Sequence, residues 1–225
     1  MELSDRTLRV LKNYSTINPN LVVDPGTTLK TVSVARNIFS KCDVREEFPI
    51  RFGIYDLNEF LGVLGLVDNP HLNFEDNYVT VSDSSGRSSI RYHYSDPDML
   101  TSPSKDIVMP ETEVKFTLDT NTMSKIKRAA STLNHDEVCI RPSGGSVMIQ
   151  VINPKDATSN AFSINVDGEY ENGVDFNFVL NVNNLKTVNE DFDVTISKKL
   201  ISCFESQQSN LEYYIALEKS SSYGE

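Results

Sequence analysis

The side chains best equipped for catalysis lie scattered along the chain. His71, His93 and His135 are its three histidines, and none has a cysteine or a paired carboxylate at metal-ligand spacing. Cys42, Cys139 and Cys203 are odd in number and far apart, which fits reduced thiols better than a disulfide frame or a zinc site. No G-x-S-x-G elbow is present, and Gly144-Gly145 lacks the following lysine of a phosphate cradle. Asp96-Pro97-Asp98 offers two carboxylates in one turn, without the further oxygen ligands of a calcium cage. Glu46-Glu47 and Glu190-Asp191 read as solvated charge. The expectation is a protein with no enzymatic activity, no cofactor and no metal.

What remains to do chemistry is charge. The chain has 225 residues, 39% hydrophobic, with a formal net charge of -11, enough for one large or two modest domains. Such an acidic protein repels phosphates over most of its surface, so any nucleic-acid contact needs a locally basic face. Met1 to Arg6 has no apolar leader core, and no run approaches the ~18 apolar residues of a membrane span, so the expectation is a soluble, intracellular protein with no membrane partner.

Most segments read as short strands, among them 78–81, 88–92, 147–152 and 213–217, punctuated by turns such as Asp24-Pro25-Gly26 and Asn172-Gly173. Four segments have helical spacing. Residues 4–13 align Leu3, Val10, Leu11 and Tyr14 behind a Ser4 cap. Residues 56–65 align Leu57, Phe60, Leu61 and Leu64 behind an Asp56/Glu59 capping box. Residues 119–131 carry Met123, Ile126, Ala130 and, just beyond, Leu133; the short segment 181–188 buries Leu185 and Val188. The helices fall as two pairs with strands between and after them, an architectural repeat that divides the chain near its middle. The two-proline stretch 100–110 is the natural connector, giving domains at 1–110 and 111–225.

The basic side chains concentrate on these helices: Arg6, Arg9, Lys12, Lys125, Lys127, Arg128 and Lys186, seven against four acids, in a chain that is otherwise strongly acidic. At about 100° per residue, Lys125 and Arg128 lie opposite the apolar stripe of 119–131, with Lys127 at its flank. Arg6, Arg9 and Lys12 are expected to share the outer side of 4–13. Helix 56–65 dissents, with no basic residue and an exposed Glu59. A solvated basic face on a β-rich structural or assembly protein is the alternative; aromatic residues do not interleave with the basic ones, which counts against a single-strand stacking platform.

The same residues carry a resemblance. Leu11-Lys12-Asn13 with Thr16-Ile17-Asn18, Ile54-Tyr55-Asp56-Leu57-Asn58 with Phe60-Leu61-Gly62, Leu66-Val67, Asp96-Pro97, Phe176-Asn177-Phe178 and Ala216-Leu217-Glu218 form a collinear set through the whole chain. In these the chain resembles the DNA polymerase sliding clamps of T4-type bacteriophages. The turns around 68–77 and 153–173 match poorly. The resemblance implies an α+β DNA clamp fold of two similar domains, each with an antiparallel sheet outside and two helices inside, closing as a homotrimer into a ring. It implies a non-catalytic processivity factor that encircles duplex DNA independently of sequence and tethers the replicative DNA polymerase. An ATP-dependent clamp loader opens and closes such rings, and the place of action is the cytoplasm of the infected bacterial host. Service in late transcription is left open.

The basic residues named above are then the expected lining of the hole. An outer strand of each half should supply an edge for head-to-tail closure. A partner pocket is expected between the halves, lined by Ile107, Val108, Met109 and Pro110 of the connector and by Tyr214 and Ile215 of the last long strand.

Overall fold

Ser4 starts the first helix as its position promises: its hydroxyl accepts the amide of Thr7 at 3.3 Å, and α1 (Asp5–Ile17) buries Thr7, Val10, Leu11, Tyr14 and Ile17. The helix thus runs four residues past its expected end. The computed structural model describes residues 1–156 and 158–224, which divide into two units, Met1–Asp106 and a second beginning at Ile107. The division falls four residues before the boundary expected from the sequence.

In the first unit β1 (Leu21–Val23) pairs with β4 (Phe52–Ile54), and β2 (Gly26–Val32) with the long β3 (Ile38–Phe48), all antiparallel. Helix α2 (Leu57–Leu64) follows, started by Asp56, whose carboxylate accepts the amides of Asn58 and Glu59 at 2.9 and 3.3 Å. A three-stranded sheet of β5 (His71–Phe74), β6 (Tyr78–Ser82) and β7 (Ser89–His93) completes the unit, with β7 at its edge. Tyr14, Leu29, Cys42, Leu57, Val79 and Val81 are fully buried. Ser40 donates to the Tyr14 hydroxyl, which donates to the Leu29 carbonyl, so the one polar atom of that ring is satisfied. A side chain at Gly53 would place a Cβ 2.4 Å from the Ser95 carbonyl, so glycine permits this close approach.

In the second unit β8 (Val114–Leu118) leads into α3 (Thr120–Leu133), started by Asp119 accepting the Thr122 amide at 2.6 Å and ended at Asn134 in the left-handed conformation, φ 54°. Strands β9 (Glu137–Ser143), β10 (Ser146–Ile152), β11 (Phe162–Val166), β12 (Gly168–Tyr170) and β13 (Phe176–Asn181) come next, then β14 (Phe192–Ser197), β15 (Ile201–Ser206), β16 (Leu211–Ala216) and β17 (Ser222–Tyr223). They form one antiparallel sheet in the order β11-β10-β9-β13-β17 and a second array β12-β8-β14-β15-β16. Strand β11 is an edge. Phe178, Phe192, Tyr213 and Ile215 fill the core.

The expected helix at 181–188 is not formed. A single 3-10 turn, Val182–Asn184, stands in its place, and Leu185 leaves it at φ -77°, ψ 52°. Asparagine at 181, 183, 184 and 189 and the β-branched Thr187 and Val188 have weak helix propensity, and both ends of the segment bond elsewhere. Val182 donates its amide to the Asp136 carbonyl at 2.7 Å, and the Asp191 carboxylate accepts the Thr120 amide at 2.7 Å. The segment therefore runs beside α3 from its C-terminal end to its N-terminal end.

Candidate nucleic-acid interface

Helix α1 presents Arg9 and Lys12 to solvent. Arg6 does not join them. It lies about 75° from the centre of the apolar stripe, is half-buried, and donates from Nη2 to Cys42 Sγ at 3.6 Å, with Nε buried and without a hydrogen-bond partner. The expectation that Arg6 shares the outer side is corrected: its alkyl stem packs toward β3.

On α3, Lys125 and Arg128 are exposed, whereas Lys127 is half-buried and burial pushes its ammonium pKa down. Lys186 is exposed, carried by the extended segment rather than by a helix. Arg9, Lys12, Lys125 and Arg128 make no ion pair among the described residues. Beside Lys125 and Arg128 lies an open trough of about 370 Å³, lined also by Ala129, Thr132, Leu133, Ala161 and Phe162.

Both basic helices are anchored at their N-termini by a carboxylate from elsewhere in their unit. Glu46 on β3 accepts the Ser4 amide and, at 2.5 Å, the Thr7 hydroxyl. Burial pushes its carboxyl up, but these hydrogen bonds outweigh burial and hold it below the usual range. Asp191 does the corresponding work for α3 at Thr120 and is itself held by Gln208, whose amide nitrogen donates at 3.0 Å. Both residues had looked like solvated charge. A period-2 signal was available for Glu46, since positions 42, 44, 46 and 48 share the buried face of β3.

The residues expected to receive partners separate. Val108 is 87% exposed, while Ile107, Met109 and Pro110 are half-buried. Ile215 is fully buried opposite Ser202, so it supports the strand and offers no surface, a correction to its expected place in a pocket. Tyr214 points to the other face and is also buried, its hydroxyl donating to Glu212 at 2.8 Å; burial and that carboxylate push its phenol pKa up.

Among the described residues no group of three or more His, Cys, Asp or Glu side chains could hold a metal ion, and no helix is long and apolar enough to cross a membrane.

Comparison with known proteins gives one answer. The family described as DNA polymerase processivity factor matches residues 4–102, and that described as gp45 sliding clamp, C terminal, matches residues 115–219. The sliding clamp of Vibrio phage KVP40 is 30% identical over 224 residues, covering 97% of this chain and 99% of the relative. That of Enterobacteria phage T4 is 27% identical, covering 99% of each. Among solved structures, A. fulgidus PCNA with the C-terminal region of FEN-1 bound superposes with a TM-score of 0.71 at 17% identity, over 98% of each chain. The PCNA2-PCNA3 complex from Sulfolobus tokodaii gives 0.70 at 15%, over 97% of this chain and 98% of that one. The fold is the sliding-clamp fold, and the chain belongs to the sliding clamps, the non-catalytic processivity factors of DNA polymerase.

Proposed function

We propose that three copies of this chain close into a ring around duplex DNA and hold the replicative DNA polymerase on it, in the cytoplasm of an infected bacterial host. An ATP-dependent clamp loader opens the ring, and contact with DNA is independent of sequence. Family membership carries the polymerase and DNA partners. The observation that supports the geometry is that each unit ends a sheet on an edge strand, β7 in the first and β11 in the second. Head-to-tail closure requires two different surfaces on each chain, because a ring of identical chains joins one to the other.

Of the seven basic side chains expected to meet phosphates, five are exposed: Arg9, Lys12, Lys125, Arg128 and Lys186. Long flexible side chains on phosphates position the duplex without reading bases, so the ring slides. Val108, the most exposed large apolar side chain, is the proposed anchor for partner tails. The A. fulgidus PCNA structure, with a partner's C-terminal region bound, supports that mode of binding.

The test is topological. Loaded onto nicked circular DNA, the protein should stay bound through gel filtration and fall off once the circle is cut open; equal retention on linear DNA would overturn the ring. On the same circles, Val108→Asp should keep retention and lose polymerase stimulation, and stimulation that persists would move the partner site elsewhere.

A further inference from the structure

An open pocket of about 390 Å³ in the second unit is lined by no residue of the helices. It lies where β8 begins and where β12 and β14 end, with Tyr223 of β17 forming one side. Four carboxylates line it, Glu111, Glu113, Glu169 and Glu171, against two ammonium groups, Lys115 and Lys198. Lys115 stands opposite Glu169 across the ladder of β8 and β12, and Lys198 is ion-paired to Glu113 at 3.1 Å. Glu111 and Glu171 are exposed and make no ion pair among the described residues.

Glu113 points to a cation as the ligand. Its side chain is only 6% exposed. Oε2 accepts the Lys198 amide at 2.7 Å, whereas Oε1 is buried without a hydrogen bond, the Lys198 ammonium meeting it as an ion contact only. A buried carboxylate oxygen in that state calls for a donor. The Lys198 ammonium also stands over the Tyr223 ring, 5.7 Å from its centre, so a carboxylate and an aromatic face together hold one positive charge. Tyr223 senses the same field: burial and the carboxylates of Glu171 and Glu113 push its phenol pKa up. The Lys198 side chain is 53% exposed, so it can leave the pocket without unpacking the core.

We propose that this pocket receives an arginine side chain from a protein partner, with Lys198 as the chain's own place-holder. The guanidinium replaces the ammonium beside Glu113 and over Tyr223, flanked by Glu111 and Glu171. Arginine fits better than lysine because its planar fork donates to two carboxylates at once while its face stacks on the ring. It is also more weakly hydrated than an ammonium, which eases entry. The surplus of glutamates selects a basic partner segment, since acidic or neutral segments find no counter-charge there. The pocket is complete within one unit of one chain, so the proposal does not depend on ring closure.

The probe is a dye-labelled peptide of glycine and serine carrying two arginines, followed by fluorescence anisotropy on the full chain at physiological ionic strength, where distant charges are screened. Lys198→Met vacates the pocket and should tighten binding about threefold, whereas Lys199→Met removes the same charge from the exposed neighbouring residue and should leave binding nearly unchanged. Glu111→Gln combined with Glu171→Gln should weaken binding about fivefold. Both positions are exposed, so the melting midpoint should not move. Glu113 is left intact because it also holds the Lys198 amide. Equal effects of Lys198→Met and Lys199→Met, binding that survives the loss of both glutamates, or no binding by the parental and Lys198→Met chains overturn the pocket. A lysine version of the peptide that binds as tightly overturns arginine as the ligand, and spermidine competing as well as unlabelled peptide makes the ligand a free polyamine instead. Retention on closed circular DNA reads the ring separately, so the failure of either reading is told from that of the other.

Discussion

Glu46 shows how one side chain decides where a basic helix stands. It is 9% exposed, among apolar neighbours on β3, and its two oxygens take the Ser4 amide and the Thr7 hydroxyl at the start of α1. A carboxylate at a helix N-terminus also gains from the helix dipole. Replacing Glu46 with alanine leaves those donors without their acceptor and should cost about 2 kcal/mol of stability, read as a lower urea midpoint at pH 7. The hydrogen bonds depress its folded-state pKa, so their stabilisation is complete above the reference value of 4.5 and is lost as pH falls below it. Urea midpoints of the parental protein should therefore drop through this acid range, and Glu46→Gln should flatten that part of the profile. An unchanged acid limb in the variant would remove Glu46 as its source.

Elements whose boundaries are set by their own residues were legible in the sequence. Ser4 and Asp56 cap the two helices they were expected to cap, and the strands at 78–82, 89–93 and 146–152 follow their alternation. The segment after β13 was not, because Leu185 and Val188 have helical spacing while the bonds that decide its course come from Asp136 and Thr120, distant in sequence. Arg6 escaped for a related reason: its angular position is marginal, and the partner that draws it inward, Cys42, lies on another element. The α3 trough needs Phe162, brought there only by the fold. Asp191 thus holds an element that local sequence does not. Asp191→Ala should free the Thr120 amide and speed hydrogen exchange in the first turn of α3 by about fivefold, corresponding to about 1 kcal/mol, with α1 unchanged. Equal acceleration in α1 would show a global loss of stability instead.

At the scale of the whole molecule, the net charge of -11 and the exposed cations work together. In the proposed ring, an acidic surface would oppose adsorption of DNA to the outside, attraction would rest on the exposed cations such as Arg9 and Lys12, and few phosphate contacts would leave the ring free to slide. Each phosphate neutralised by the protein contributes about 0.9 to the slope of log affinity against log salt. Removing Arg9 and Lys12 takes six charges from the proposed trimer, and only those in contact with the duplex at one time count, so the slope should fall by about 1 to 5. Both side chains are exposed and make no ion pair among the described residues, so the double alanine variant should keep the parental mass and melting midpoint. Lys30→Ala is the comparison: its ammonium is ion-paired to Asp106 at 2.7 Å, so that cation is already neutralised and the slope should not move. Measured as residence on closed circles over a salt series, a slope that stays at the parental value in the Arg9/Lys12 variant would place the duplex against some other surface of the clamp.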